Sequence, residues 1–275
     1  MNFRIGSLSI ILSVFVALFA IEMSIGTILH AHQEELNTAI LADNQEETYR
    51  RCLIAVNRNP EAALNMARRW GRLSGGNPAD HCAALALVGL GDPEEAARHL
   101  ERLATESSGT IRVRAGLLGQ AGRAWMSAGF YDSGLDMLNK AITLYQGDSS
   151  FFYDRSLCHA ALGNLWPAID DLNQVLNMET DSIDALVLRG SAYRQLDVDD
   201  LASEDISRAL RAEPDNVDAL LEQGLLEQKL GSFAKARKNW IRILEIAPSS
   251  AAGDAVRQRL EQLDISIDSM TESVN

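Results

Sequence analysis

The side chains that could carry out chemistry here are five histidines, three cysteines, an aspartate-rich stretch and a glycine-rich run. No two histidines lie four residues apart, the spacing that places two metal ligands on one helix face. His30 and His32 are two residues apart and would point to different faces. We therefore interpret all five as surface residues: His30, His32, His81, His99 and His159.

The aspartate-rich stretch at 197–205 lacks the glycine and the terminal glutamate of a calcium-binding loop. Gly116, Gly119 and Gly122 imitate a phosphate-binding loop, but no Lys-Ser/Thr ending follows them and no strand precedes them. The sequence has no Gly-x-Ser-x-Gly nucleophile motif. These patterns predict a non-catalytic protein with no metal and no cofactor.

Composition excludes other classes. In 275 residues, 25 Lys+Arg face 38 Asp+Glu, so the formal net charge is −13. Nucleic-acid binding needs a cationic surface that neutralises phosphates, and none is predicted here. A hydrophobic content of 47% is too high for a disordered chain.

The N-terminus predicts export. Residues 5–21 are apolar and uncharged after the weakly basic Met1–Arg4, which suits a secretory signal. The cleavage site is weak, so residues 1–26 are either a signal peptide or an uncleaved anchor that crosses the inner membrane through 5–21. A buried core helix is the remaining alternative. We expect a periplasmic chain, free or membrane-anchored, with a linker at 27–46.

The elements that follow repeat every 34 residues. Small residues recur at Gly122, Ser156, Gly190 and Gly224, and a second small column follows at Gly134, Ala168, Ala202 and Ala236. Turn residues keep the same spacing at Gly129, Gly163, Asp197 and Gly231. Each unit reads as two helices that cannot bury both apolar faces alone, so stacked pairs are predicted to form an all-α solenoid.

The predicted order is two degenerate helix pairs at 47–114 and then four repeats. The repeats occupy 115–148, 149–182, 183–216 and 217–250. A capping helix is expected at 251–265 and a disordered tail at 266–275.

Residues 183–216 show Leu186, Gly190, Tyr193, Ala202, Ile206 and Pro214, and 217–250 show Leu220, Gly224, Ala236, Trp240 and Pro248. With these residues the chain resembles the tetratricopeptide repeat family, in particular its exported bacterial envelope members. The resemblance implies a role in holding other proteins.

In that family the first helices of successive units line a concave, peptide-binding groove. The positions that match it are Arg123, Met126, Tyr153, Leu157, Arg194, Gln195, Leu225, Gln228 and Lys229. Because three of these are cationic, the groove is expected to suit a peptide with an acidic or C-terminal carboxylate feature. The alternative is that these side chains are simply solvated.

Cys52 and Cys82 fall on the first helices of adjacent units, so a disulfide could join them in an oxidising compartment. Closing a loop of about 30 residues would contribute roughly 3–4 kcal/mol. Two buried free thiols are the alternative. Cys158 is predicted to be a core residue.

The predicted function is a protein-interaction scaffold or adaptor in the cell envelope that binds a peptide or partner segment. The alternative is an assembly factor that presents unfolded clients, such as apocytochromes or outer-membrane proteins, to a machine. Basic ends flank an acidic middle, which favours solubility over self-association. The partner and the oligomeric state do not follow from the sequence.

Overall fold

The computed structural model describes residues 44–73 and 75–272, with side chains to Leu263. These residues form α-helices and no strand, in agreement with the predicted fold class. They fall into two compact units whose boundary follows Leu90. The predicted signal or anchor at 1–26 and nearly all of the linker lie outside the described residues. Within them, no helix is both long enough and apolar enough to cross a membrane.

The N-terminal unit (residues 44–90) contains three helices. They are α1 at 44–58, α2 at Pro60–Leu73 and α3 at Gly76–Gly89. Pro60 suits the first turn of α2 because its missing N–H would have no helical partner there. Asn59 caps the same turn, since its Oδ1 accepts from the Ala62 N–H at 2.9 Å.

A disulfide ties this unit together. Cys52 of α1 and Cys82 of α3 are bonded, with their Cα atoms 6.2 Å apart, and both residues are fully buried. Helices α2 and α3 pack against each other, and small side chains such as Ala63 and Ala79 are buried in the unit. The disulfide therefore links the first and third helices of a unit with a small core.

The C-terminal unit (residues 91–272) contains ten helices, α4 to α13. Helix α4 comes first, the next eight helices form four pairs, and α13 follows the last pair. In chain order they are α4 Pro93–Glu106, α5 Ile111–Ser127, α6 Tyr131–Leu144, α7 Ser149–Ala161, α8 Leu165–Met178, α9 Ile183–Gln195, α10 Asp199–Ala212, α11 Val217–Lys229, α12 Phe233–Ile246 and α13 Ala251–Glu272. Helices pack within each pair and each pair packs on the next, so this unit is a solenoid.

The turn inside each pair adopts a left-handed backbone at the predicted column. The φ angles are +81° at Gly129, +76° at Gly163 and +75° at Gly231. Asp197 occupies the same position at +61° and is the one non-glycine residue with positive φ in the described chain. Glycine adopts this conformation without steric cost, so the column marks where a first helix must stop.

The small column sets the distance between paired helices. A Cβ on Gly224 would lie 2.1 Å from Nε1 of Trp240, and one on Gly190 would lie 2.9 Å from Ile206. Trp240 and Ile206 are buried. The absence of a side chain at the glycine thus makes room for the large residue of the second helix.

A buried ion pair links three consecutive helices, and the same arrangement occurs twice. Arg189 of α9 pairs with Asp205 of α10 through two bonds of 2.7 Å, and its Nη1 donates to Oδ1 of Asn173 on α8 at 2.6 Å. One repeat earlier, Arg155 bonds Asp171 and Asn139 in the same way. Each set, which we call an arginine clamp, fastens one pair to the pair before it.

Helix α13 corrects the predicted C-terminus. It packs on α12 as a cap, but it continues to Glu272 instead of ending at 265. Residues 266–272, predicted as disordered tail, are therefore helical. Residues 264–272 include no proline or glycine that would break a helix, so the local sequence does not end the helix at 265.

Candidate functional site

The predicted groove positions lie on the first helices of the four pairs, α5, α7, α9 and α11. Six side chains are half-buried and three are exposed. The half-buried ones are Met126, Tyr153, Leu157, Arg194, Leu225 and Gln228, and the exposed ones are Arg123, Gln195 and Lys229. Of these nine, Tyr153 lines a cleft between α7, α9 and α11, and the other eight lie outside that cleft.

The first two predicted cations are already paired with carboxylates. Nη1 of Arg123 lies 2.7 Å from Oδ2 of Asp154 on the neighbouring α7. Nε of Arg194 lies 2.7 Å from Oε2 of Glu222 on α11, whose Oε1 also accepts from Ser191. Both pairs join successive first helices, so these arginines fasten the face together.

Lys229 has two carboxylate partners. Its Nζ lies 2.7 Å from Asp197 and 2.5 Å from Asp199. The hydrogen bond that Lys229 donates to Asp197, followed in size by the one to Asp199, raises the pKa of Lys229. The bond to Asp197 also lowers the pKa of that aspartate. Arg123, Arg194 and Lys229, which the sequence suggested would make the groove cationic, are therefore each paired with an acid of a neighbouring element.

The cleft on this face is acidic. It encloses about 230 Å³ between α7, α9 and α11. Its apolar walls are Tyr153, Val187, Leu188 and Leu221, and its polar residues are Asp184, Ser191, Asn216, Asp218 and Glu222.

Two of these acids are exposed and have no counter-ion among the described residues. They are Asp184, in the first turn of α9, and Asp218, in the first turn of α11. Burial, and then the charges of Asp184, Asp154 and Asp218, raise the pKa of the Tyr153 hydroxyl. The cleft therefore has apolar walls and an excess of negative charge.

Tyr153 was predicted from the sequence as a groove residue, whereas Asp184 and Asp218 were not. Asp184 and Asp218 lie 34 residues apart, so the repeat spacing held a signal for them. The signal was weak because a first-turn aspartate is common in helices, where it interacts well with the free N–H groups.

Among the described residues, the histidines and the cysteine thiol that could have carried out chemistry form no reactive site. No group of three or more His, Cys, Asp or Glu side chains is arranged to hold a metal there. Burial lowers the pKa of His159, and burial raises the pKa of the Cys158 thiol to about 12. Cys158 is fully buried, as predicted for a core residue.

Comparison with known proteins agrees with the repeat geometry. Residues 189–251 match the family model described as tetratricopeptide repeat. The chain finds no match among curated proteins by sequence.

Solved structures share the fold. That of Pseudomonas aeruginosa pilF is similar with a TM-score of 0.63 at 15% identity, over 78% of this chain and 97% of the other. MamA from Desulfovibrio magneticus RS-1 gives 0.56 at 18% identity, over 64% and 97%. YrrB, described as a TPR protein with an unusual peptide-binding site, gives 0.53 at 16% identity, over 70% and 96%.

Stacked helix pairs, glycine turns and the matching family model together define a tetratricopeptide solenoid. Residues 189–251 match the tetratricopeptide repeat family, and the solved structures share the fold of the stacked helix pairs. This fold is one of protein-interaction scaffolds, and the family is in general non-catalytic.

Proposed function

We propose that this chain is a non-catalytic scaffold whose cleft between α7, α9 and α11 holds an extended segment of a partner protein. The observation that carries the proposal is a concave site with apolar walls and two carboxylates, Asp184 and Asp218, that have no ion-pair partner among the described residues. Peptide-binding sites combine apolar pockets with a few fixed polar groups in this way.

The charge of the cleft selects the chemistry of the segment. A lysine or arginine of the partner can approach Asp184 and Asp218 while a neighbouring apolar side chain contacts Tyr153 and Leu221. An acidic segment would be repelled by Asp184 and Asp218. Arg194 and Lys229 would not offset this repulsion, because each is already paired with a carboxylate of the chain. We therefore propose a basic and apolar segment in place of the acidic one expected from the sequence.

Selection from a random peptide library displayed on phage tests this proposal. The full chain should enrich peptides with Lys or Arg beside an aromatic or aliphatic residue. The variant Asp184→Lys/Asp218→Lys should lose that enrichment. As a matched control, Asp170→Lys/Asp200→Lys makes the same charge change at exposed acids of the second helices α8 and α10 and should enrich as the wild type does.

Enrichment of acidic peptides, or identical selection by both double variants, would reject the cleft as the binding site. Because all four aspartates are exposed, helix content by circular dichroism should be unchanged in both variants. A preference for an unfolded, carboxymethylated protein over peptides would favour the alternative role of an assembly factor.

We further propose that the chain works in the cell envelope, free in the periplasm or anchored through residues 5–21. Support comes from the apolar N-terminal run and from the Cys52–Cys82 disulfide, which is stable in an oxidising compartment. Trapping of thiols in whole cells should label Cys52 and Cys82 only after reduction. Labelling of both without reductant would place the chain in a reducing compartment.

A further inference from the structure

A second cavity lies away from the proposed cleft, between α4, α5 and α6. It encloses about 440 Å³, a volume within the range of small-molecule sites. Its walls include the apolar side chains Ala104, Leu118, Met137 and Leu144, and its charged lining residues are Arg114, Lys140 and Glu101. Leu118 and Met137 are buried core residues, so the site is built into the packing of these helices.

The cavity lies where this repeat lacks an arginine clamp. The clamp residues Arg155 and Asp171 correspond, 34 residues earlier, to Ala121 and Met137. The counterpart of Asn139 is Glu101, which lies 38 residues earlier because the loop before α5 is four residues longer than in the other repeats. The same offset aligns the buried Leu100 with the buried Leu138. Two of these three counterparts, Met137 and Glu101, line the cavity, whereas Ala121 is buried outside its lining.

The polar groups around this space are arranged differently from those of a clamp. Glu101 accepts a hydrogen bond from Nε1 of Trp125. Arg114 is half-buried, and its Nε donates to the carbonyl oxygen of Ala104 at 3.1 Å. Its guanidinium has no carboxylate within ion-pair distance among the described residues, whereas Lys140 is paired with Asp136 on its own helix.

From these contacts we infer that the cavity between α4, α5 and α6 binds a small amphipathic carboxylic acid. The hydrocarbon part lies against Leu118, Met137 and Leu144, and the carboxylate pairs with the guanidinium of Arg114. A carboxylate is the favoured polar group because an arginine presents two parallel N–H donors to it. A half-buried cation without a counter-ion also gains more from such a pair than an exposed one.

Titration of the ¹⁵N-labelled full chain with 4-phenylbutyrate tests the inference by NMR. The indole N–H of Trp125 bonds Glu101 at the cavity, so its signal should shift and saturate, and a Trp125→Phe variant assigns it among the four tryptophans. The amine 4-phenylbutylamine, with the same hydrocarbon and the opposite charge, should shift it at least tenfold less at equal concentration.

Variants separate this site from the packing around it. Arg114→Met should weaken 4-phenylbutyrate binding about tenfold or more, a loss expected for a charge-assisted pair, and Arg114→Lys should restore part of it. Thr143→Trp, at an exposed position of the lining, should block binding and keep the fold. Arg112→Met is the matched control, because Arg112 lies on the same helix, stacks over Tyr145 and does not line the cavity.

Three results would overturn the inference. They are an unchanged Trp125 signal at millimolar 4-phenylbutyrate, an equal shift with the amine, and equal affinities for wild type and Arg114→Met. The peptide selection of the preceding subsection does not involve these residues, so either proposal can fail without the other.

Discussion

Replacing one partner of an arginine clamp should destabilise the protein far more than replacing the same partner of an exposed ion pair. Arg189 and Asp205 form a two-bond pair with side chains 17% and 4% exposed. Arg242 and Asp215 form a pair of similar geometry, with bonds of 2.9 and 2.8 Å, but are 46% and 56% exposed. The two pairs therefore differ in burial and in the further partner of the arginine, which is Asn173 for Arg189 and Glu245 for Arg242.

The variant Arg189→Met keeps the aliphatic part of the side chain and removes its charge. Asp205 would then be buried without a counter-ion, and Asn173 would lose its donor. Breaking a buried pair in this way costs about 3–5 kcal/mol, and we expect the lower end because Arg189 is not completely buried. Arg242→Met leaves Asp215 in water, so its effect should be much smaller and should shrink further with added salt.

The double variant Arg189→Met/Asp205→Met completes the test. It removes both charges and places at 205 the residue that the chain itself has at the corresponding Met137. Replacing both members of a buried pair by apolar residues is often neutral, so most of the lost stability should return.

Urea unfolding of the full chain, followed by far-UV circular dichroism, measures these differences. The midpoint and the slope are compared separately, because a changed slope in a repeat protein indicates a loss of two-state unfolding. Equal losses for Arg189→Met and Arg242→Met would refute the reasoning. So would a double variant that is as unstable as Arg189→Met.

Three further predictions concern packing, reactivity and pH. Gly224→Ala should lower the free energy of unfolding in urea by roughly 1–3 kcal/mol, because its Cβ would meet the buried Trp240. Gly116→Ala, with open space around its Cβ, should raise it by about 0.5–1 kcal/mol. Equal effects of the two variants would contradict the packing argument. The buried Cys158 thiol, with its pKa raised to about 12, should not react with Ellman's reagent at pH 8 until the chain is unfolded, and a rapid native reaction would contradict its burial. Burial raises the pKa of Asp154, so the folded chain binds a proton at this carboxylate more readily than the unfolded chain does. As the pH falls from 7 through the raised pKa toward 3.8, the wild type should therefore gain stability relative to Asp154→Asn. The difference between their urea midpoints at pH 7 and pH 4.5 measures this effect, and a change in the opposite direction would show that the pair with Arg123 outweighs burial.

Much of the architecture of the C-terminal unit follows from the sequence. The 34-residue spacing of Gly190 and Gly224 identifies the helix pairs, and Gly129, Gly163 and Gly231 mark their turns. These features are local: a glycine permits a left-handed backbone or a close approach wherever the chain places it, so its position alone is informative. The pairing of Cys52 with Cys82 stood as one of two alternatives in the sequence, and the structure joins them.

The charge of the binding face was decided by the tertiary structure. Arg194 and Lys229 look like free cations in the sequence, yet Glu222 and Asp199 neutralise them from neighbouring elements. The arginine clamps were hidden as well, because Arg189 and Asp205 lie on different helices. Sequence spacing predicts which residues share a helix face, but the charge that a face presents depends on which side chains meet across helices and how deeply water is excluded between them.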